Sequence, residues 1–310
     1  MKIAVVGAGG IGGFFGGCLA RAGEDVTFIA RGAHLEAIRA RGLRVESASA
    51  GEFTIRPAQA TDRPGEVGPV DLILFCVKSW DLDSAAQEIR PLVGPATAII
   101  PLLNGVDAAS RISSRVGDSH VLGGIAHIES TIAEPGLIRH LSPNLHRLTF
   151  GELDGSRSDR VGKIADVLRK GGFDVVSTVS IRRDLWEKFI FICGFAGISA
   201  ITRLPASVIR STPETRDLVE RVMREVDAVG RAHGVPLDGD VVTAQLARLD
   251  LLPPGSKASM ARDLERGRRL EIEALNGAVV RLGRERSVPT PVNDLIRSAL
   301  IPYADGPPAS

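Results

Sequence analysis

Cysteine is scarce in this sequence. The three that occur, Cys18, Cys76 and Cys193, are widely spaced and odd in number. They support no disulfide framework and, with no CxxC or Cys/His cluster, no zinc site or other metal site. That usage fits a reducing, cytoplasmic compartment. An excess of one charge is also missing: 38 basic residues face 37 acidic ones, a net of +1. The balance argues against a dedicated binder of nucleic acid or of membrane surfaces. Long hydrophobic runs are lacking too. Phe189–Ile201 is interrupted by Gly194 and Gly197 and stops well short of the ~20 residues that span a bilayer. Met1–Ala20 loosely resembles an export signal, but its glycines suit a turn and a close-packed helix better than an apolar export segment.

Glycine, by contrast, is abundant. There are 34 in 310 residues, and seven of them lie between Gly7 and Gly17. They fall in a first half where short β-branched runs alternate with helical patterns. Strands are predicted at Lys2–Val6, Asp25–Ala30, Asp71–Val77 and Ala96–Leu103. The run DLILFCV is continuously apolar, as in a parallel strand covered on both faces. Leu43–Ser47 and Glu52–Arg56 read as a hairpin around Gly51. Further strands are expected within Val121–Ser130, Gly136–Leu141, Leu148–Glu152 and Asp174–Ser177. Helices are predicted at Ile11–Ala22, Ala33–Arg41, Leu82–Ile89, Asp107–Val116 and Asp159–Lys170. Such alternation indicates an α/β fold with a Rossmann-type doubly wound sheet. After Ser180 no strand is evident. Leu185–Ile201, Pro213–His233, Asp240–Leu249, Ser256–Arg286 and Pro291–Tyr303 read as helices, and Gly306–Ser310 as a disordered tail. The expected organisation is a dinucleotide-binding domain over residues 1–179 and an all-helical substrate domain over 180–310.

Gly7-Ala8-Gly9-Gly10-Ile11-Gly12 is a GxGxxG between the first strand and the first helix, the context that gives this pattern meaning. Gly7 permits the tight turn, Gly9 lets the backbone approach a pyrophosphate, and Gly12 lets helix and strand pack closely. The helix N-terminus then offers free N–H groups to the phosphates. At the end of the second strand, where NAD-binding folds carry an acid, stands Arg31. An arginine there pairs with a 2′-phosphate, or else is a solvated loop cation; the first reading predicts NADP(H). Lys78 and Asn104 end two buried strands on the side where ligands bind such sheets. Lys78 reads as a cofactor contact or as a surface lysine at a strand exit. Asn104 reads as a nicotinamide or substrate contact, or as the turn residue of Asn-Gly.

Reducing a ketone by hydride leaves an alkoxide that needs a proton donor. Lys188, at the start of an otherwise apolar helix, is the sharpest candidate, since partial burial lowers a lysine pKa; the alternative is a lysine snorkelling at a helix end. Glu271 reads as a carboxylate that orients the lysine or the cofactor, or as part of a solvated charged face. On a helix, Glu271 and Glu273 cannot both point inward. Ser259 reads as a hydroxyl contact to a small anion or as a helix-start residue.

Taken together, these segments resemble the ketopantoate reductase (2-dehydropantoate 2-reductase) family. The resemblance spans nearly the whole chain: GAGGIG with Arg31, Lys78 with Trp80, Asn104-Gly105, Asp184 to Lys188, Ser259 with Asp263, and Leu270 to Glu273 with Asn276-Gly277. It implies an NADPH-dependent enzyme that reduces ketopantoate to pantoate, the pantothenate precursor. It implies Lys188 as proton donor, Asn104 beside nicotinamide and substrate, and Lys78 as cofactor and active-site contact. Ser259 would be a substrate contact and Glu271 the glutamate that holds the cofactor and orders the site. A homodimer is expected, with no nucleic-acid or membrane partner. The chain also departs from the pattern. Ile192, Ala196 and Ala206 stand where the best-known members carry substrate-binding asparagines. Ser199, Thr202 or Arg203 are then candidate replacements, or the substrate is a different, more apolar 2-keto or 2-hydroxy acid, as in an opine-type enzyme. A non-catalytic NADP(H) sensor is the remaining alternative.

Overall fold

The computed structural model describes residues 1–142 and 144–308. The chain forms two compact units. One comprises Met1–Leu103 and Asp107–Ile181; the other comprises Asn104–Val106 and Arg182–Ser310.

In the first unit the strands are β1 (Lys2–Val6), β2 (Asp25–Ile29), β3 (Leu43–Ser47), β4 (Gly51–Ile55), β5 (Gln59–Thr61), β6 (Val70–Phe75), β7 (Val93–Pro101), β8 (Gly123–Ile128), β9 (Ser130–Glu134), β10 (Leu137–His140), β11 (His146–Gly151) and β12 (Asp174–Ser177). Its helices are α1 (Gly10–Arg21), α2 (Gly32–Arg41), α3 (Leu82–Glu88), α4 (Ala108–Val116) and α5 (Asp159–Arg169). Five strands make one parallel sheet in the order β5-β2-β1-β6-β7. The apolar runs of β1 and β6 are buried at its centre, with Ile3, Val5, Leu72 and Leu74 fully inaccessible. Strand order reverses between β1 and β6, the switch point beside which such sheets hold ligands. The remaining predicted strands do not extend this sheet. β4-β3-β10-β9 and β12-β11-β8 form two separate sheets. The expected hairpin is present as the antiparallel β3–β4 pair, and β5 was not anticipated.

The second unit contains no strand among its described residues. Its helices are α6 (Ile181–Thr202, whose first residue ends the other unit), α7 (Ala206–Ser211), α8 (Pro213–Ala232), α9 (Val241–Asp250), α10 (Ser259–Glu265), α11 (Asn276–Glu285) and α12 (Pro291–Leu300). α6 is longer than the sequence pattern indicated. Its 22 residues are enough to cross a membrane by length and composition, but its apolar window is 67% buried. It is a core helix: Phe189, Ile190, Cys193 and Ile198 are enclosed by residues from α8, α9 and α11. Its two glycines mark close crossings, because a Cβ on Gly194 would meet Met223 at 2.8 Å and one on Gly197 would meet Asn276 at 3.1 Å.

The single helix expected over Ser256–Arg286 is in fact two, α10 and α11, separated by an irregular stretch. Gly267 adopts φ +61° just past α10, a left-handed conformation that ends the helix there. Glu271 therefore lies on a turn, and the helix-face argument about Glu271 and Glu273 does not apply. Glu271 is buried while Glu273 is exposed and paired with Arg297 at 2.6 Å. α7 was likewise not anticipated. Ala206 opens it, fully buried, with its N–H donating to Ser256 O at 2.8 Å. Of the expected disordered tail, Gly306–Pro308 carry no helix or strand, and residues 309–310 lie outside the described residues.

Candidate functional site

In the first unit, the turn from β1 into α1 is shaped by absent side chains. Gly7 has φ +92°, and a Cβ on it would stand 2.9 Å from the Cys76 carbonyl, at the end of β6. A Cβ on Gly12 would lie 2.2 Å from Gly7 O and 2.8 Å from Val5 Cγ1, so α1 packs onto β1 only because this side chain is missing. Gly10 is constrained as well, facing the Ser130 carbonyl oxygen at 2.4 Å from an added Cβ. Gly9 differs from all of these. Among the described residues, nothing beyond its own chain neighbours and helix backbone lies within 4 Å of the position of its Cβ. Gly9 is thus the one motif glycine that packing does not require, and it leaves the backbone open to close approach. Beside it, the first-turn N–H groups of α1 form a natural phosphate cradle.

Ala8, between Gly7 and Gly9, is held from outside the motif. His34 Nε2 lies 2.8 Å from Ala8 O, and the Gly136 N–H donates to His34 Nδ1 at 3.0 Å. The second bond leaves the proton on Nε2, so a neutral imidazole donates to Ala8. Burial lowers the His34 pKa, which favours that neutral form. His34 was not anticipated as a support of the turn, because its partners lie far away in sequence. Arg31 caps the start of α2 and is exposed, its guanidinium 2.7 Å from Glu88 Oε2. Lys78 is exposed at the end of β6, with its ammonium 5.6 Å from the centre of the Trp80 ring.

In the second unit, three of the predicted residues meet. Lys188 Nζ donates to Asn104 Oδ1 at 3.1 Å, and Asn104 Nδ2 donates to Glu271 Oε2 at 3.4 Å. Lysine only donates and an ionised carboxylate only accepts, and the amide between them offers its oxygen to the lysine and its nitrogen to the glutamate. Each member has its own support. Asn104 follows β7 at a turn where Gly105 takes φ +105°. The N–H groups of Ala274 and Leu275 both donate to Glu271 O at 3.1 Å and pin the irregular stretch. Lys188 rides on α6, whose rotation is set by buried Trp186 packed edge-on to Phe189 and against Gly230.

The electrostatics of Lys188 follow from this setting. Burial of the ammonium is the largest effect and lowers its pKa to about 8. The positive charge of Arg248 on α9 acts in the same direction, and the carboxylate of Glu271 opposes both. A lysine so tuned is a competent proton donor near neutral pH and is readily reprotonated.

Ser259 opens α10 with its side chain exposed. Ser199 and Thr202 donate to the Leu204 and Ile198 carbonyls at 3.0 and 2.6 Å, so their hydroxyls are committed to the end of α6. Arg203 is exposed with φ +60°. The hydroxyls of Ser199 and Thr202 are thus not free to replace the missing asparagines. Ile192 is half-buried, one turn along α6 from Lys188, and Ala196 lies within the core. Asn276 is structural: fully buried, it donates to Asn293 Oδ1 at 2.9 Å.

Comparison with known proteins places these observations in a family context. Residues 3–155 match the family model described as ketopantoate reductase PanE/ApbA, and residues 180–304 match that of its C-terminal region. A 2-dehydropantoate 2-reductase of Mesorhizobium japonicum is 35% identical over 317 residues, covering 96% of this chain and 95% of that protein. The crystal structure of a PanE/ApbA family ketopantoate reductase from Ralstonia eutropha superposes with a TM-score of 0.89 at 34% identity, covering 98% of each chain. A D-mandelate dehydrogenase solved with NADH and anilino(oxo)acetate shares the fold, with a TM-score of 0.89 at 24% identity and 98% coverage of each chain.

Proposed function

The chain belongs to the ketopantoate reductase family of oxidoreductases, and on that premise we propose that it reduces the keto group of a 2-keto acid with NADPH, 2-dehydropantoate giving pantoate being the first candidate. The observation that carries this reading is the bonded series Lys188–Asn104–Glu271. A protein that only senses a dinucleotide has no use for a lysine whose pKa is brought down to about 8.

When bound, the dinucleotide would supply the hydride that the keto carbon receives. Lys188 gives its proton to the oxygen that becomes an alkoxide, so that the product leaves as the 2-hydroxy acid and the lysine as a neutral amine. Asn104 fixes where the ammonium sits and is the amide nearest the reacting carbonyl. Glu271 holds Asn104 in the orientation that presents its oxygen to Lys188, and its charge keeps the ammonium protonated over a wider pH range. The glycine turn Gly7–Gly12 holds the pyrophosphate. Lys78 serves as cofactor and active-site contact and Ser259 as substrate contact.

NADPH is favoured over NADH because Arg31, not an acid, ends β2. Its present partner Glu88 is exposed, and exposed ion pairs are weak, so a 2′-phosphate readily takes the guanidinium over. A homodimer, the commonest closed assembly, is part of the proposal and is checked by light scattering in solution.

A second reading keeps the chemistry and changes the substrate. Ile192, half-buried one turn along from Lys188, makes the α6 face there apolar, which suits a 2-keto acid with a hydrophobic side chain. The test is NADPH oxidation with ketopantoate alongside branched and aromatic 2-keto acids. Preference for ketopantoate supports the first reading and preference for an aromatic or branched acid the second. NADPH binding with no turnover on any of them overturns both and leaves a sensor.

A further inference from the structure

Arg248 sits in the last turn of α9, a half-buried arginine with no acidic partner among the described residues. Its surroundings make that notable. Arg216 takes both oxygens of nearby Asp250 at 2.6 and 2.9 Å, and Arg210 donates to the carbonyls of Leu249, Asp250 and Leu252. Arg248 instead lies over the ring of Phe191, its guanidinium carbon 4.4 Å from the ring centre. Stacking covers one flat face of a guanidinium and leaves its rim of N–H donors directed elsewhere. Burial pushes the Arg248 pKa down, with no neighbouring charge acting against it. A cation held this way, without a counter-ion, is costly unless an anion completes it.

Its position says which anion. Phe191 is three residues after Lys188 on α6, and Ile192 is four, so all three occupy one face of the helix. The guanidinium stacked on Phe191 therefore lies about one turn along from the ammonium that Asn104 holds. A 2-keto acid carries its carboxylate on the carbon next to the keto carbon, so it presents an anion beside the oxygen that must be protonated. We propose that Arg248, stacked on Phe191, is the carboxylate anchor of the substrate site, pairing with the acid group while Lys188 and Asn104 meet the keto oxygen and Ile192 borders the side chain. This rests on the reductase reading of the same site. It explains how the chain dispenses with polar groups at Ile192 and Ala196: recognition moves from amides on α6 to a guanidinium on α9.

The test pairs binding with kinetics on the full-length protein. Oxamate, a carboxylate whose amide carbonyl resists reduction, is titrated calorimetrically into the wild type, Arg248→Gln and Arg248→Lys, with and without saturating NADPH. Steady-state rates are measured for a 2-keto acid and for its methyl ester. Arg248→Gln is expected to weaken oxamate binding and raise KM for the acid about 10- to 100-fold, the range for loss of a charge-assisted bidentate pair. The KM for NADPH and the rate on the ester should change less than about twofold, and Arg248→Lys should recover part of the loss. Because the Arg248 charge lowers the Lys188 pKa, the alkaline limb of kcat should also move to higher pH in Arg248→Gln, which a merely structural role would not produce. Unchanged oxamate binding and an unchanged preference for acid over ester in both variants overturn the anchor while leaving the reductase reading intact. Oxamate binding that depends on Arg248, with no turnover of any 2-keto acid, keeps the anchor and overturns the reductase reading. No oxamate binding and no turnover by the wild type overturn both.

Discussion

Lys188 and Asn104 stand 84 positions apart in the chain, yet the lysine ammonium donates to the asparagine side-chain oxygen at 3.1 Å. Removing the ammonium is expected to remove the proton donor without disturbing the hydride donor. Lys188→Ala should lower kcat by about a hundred- to ten-thousand-fold, the usual contribution of a positioned acid, and leave the KM for NADPH within about threefold. Rapid-mixing measurement of NADPH oxidation checks this, and near-full turnover by the variant would overturn the assignment.

The pH profile should carry the signature of the same lysine. Its pKa is lowered to about 8, and the protonated form is the one that works, so kcat is expected to be level below that value and to fall above it. Glu271 acts to raise this pKa. Glu271→Gln should therefore shift the alkaline limb to lower pH, opposite to the shift expected for Arg248→Gln. A limb that stays in place in Glu271→Gln would separate the titrating group from Lys188.

The glycines of the phosphate turn divide into two kinds, and two alanine variants should tell them apart. Gly9→Ala adds a methyl to open space, so the apo protein should melt as the wild type does while NADPH binding weakens at least ~10-fold. Gly12→Ala puts a methyl 2.2 Å from Gly7 O and should destabilise the apo protein by about 1–3 kcal/mol, as overpacking does. Thermal melting without cofactor, together with fluorescence titration of NADPH, distinguishes them.

Cofactor preference should rest on Arg31. Arg31→Ala is expected to raise KM for NADPH about 10- to 100-fold and to leave KM for NADH nearly unchanged, since only the former carries the 2′-phosphate. Glu88→Gln frees Arg31 from its 2.7 Å partner. The gain in NADPH affinity should be no more than about fivefold, because an exposed pair is worth about 0–1 kcal/mol.

Acid stability should depend on Glu152. Arg160 grips both of its carboxylate oxygens, at 2.7 and 2.6 Å, and these bonds hold its pKa below the usual 4.5. A carboxylate lowered on folding stabilises the native state above its unfolded pKa and loses that contribution as pH falls through the folded value. Melting curves between pH 6 and pH 3 should therefore fall more steeply for the wild type than for Glu152→Gln, which should already be about 1–3 kcal/mol less stable at neutral pH.

Much of this was legible in the sequence because it depends on local pattern. The apolar runs of β1 and β6, the GxGxxG between strand and helix, and the proline-started α8 and α12 each carry their signal within a few residues. Lys188 stood out because a cation in an apolar helix is conspicuous. What was hidden depends on distant partners or on one backbone angle. Glu271 looked like one charge among many on a long helix until Gly267 broke that helix. Nothing local marks Arg248 in Ala247-Arg248-Leu249-Asp250; its meaning comes from Phe191 beneath it and from the prior claim of Arg216 on Asp250. His34 likewise gains its role from Ala8 and Gly136.

The assignment of Asn104–Val106 to the helical unit has a practical consequence for engineering. A chimera that joins residues 1–181 of this chain to the helical half of a relative brings Asn104 with the cofactor cradle but takes Lys188, Glu271 and Arg248 from the other parent. The hydrogen-bonded series would then be assembled from two lineages. Grafts meant to exchange substrate preference should carry the three-residue segment along with the helices, so that the asparagine and the lysine remain a matched pair.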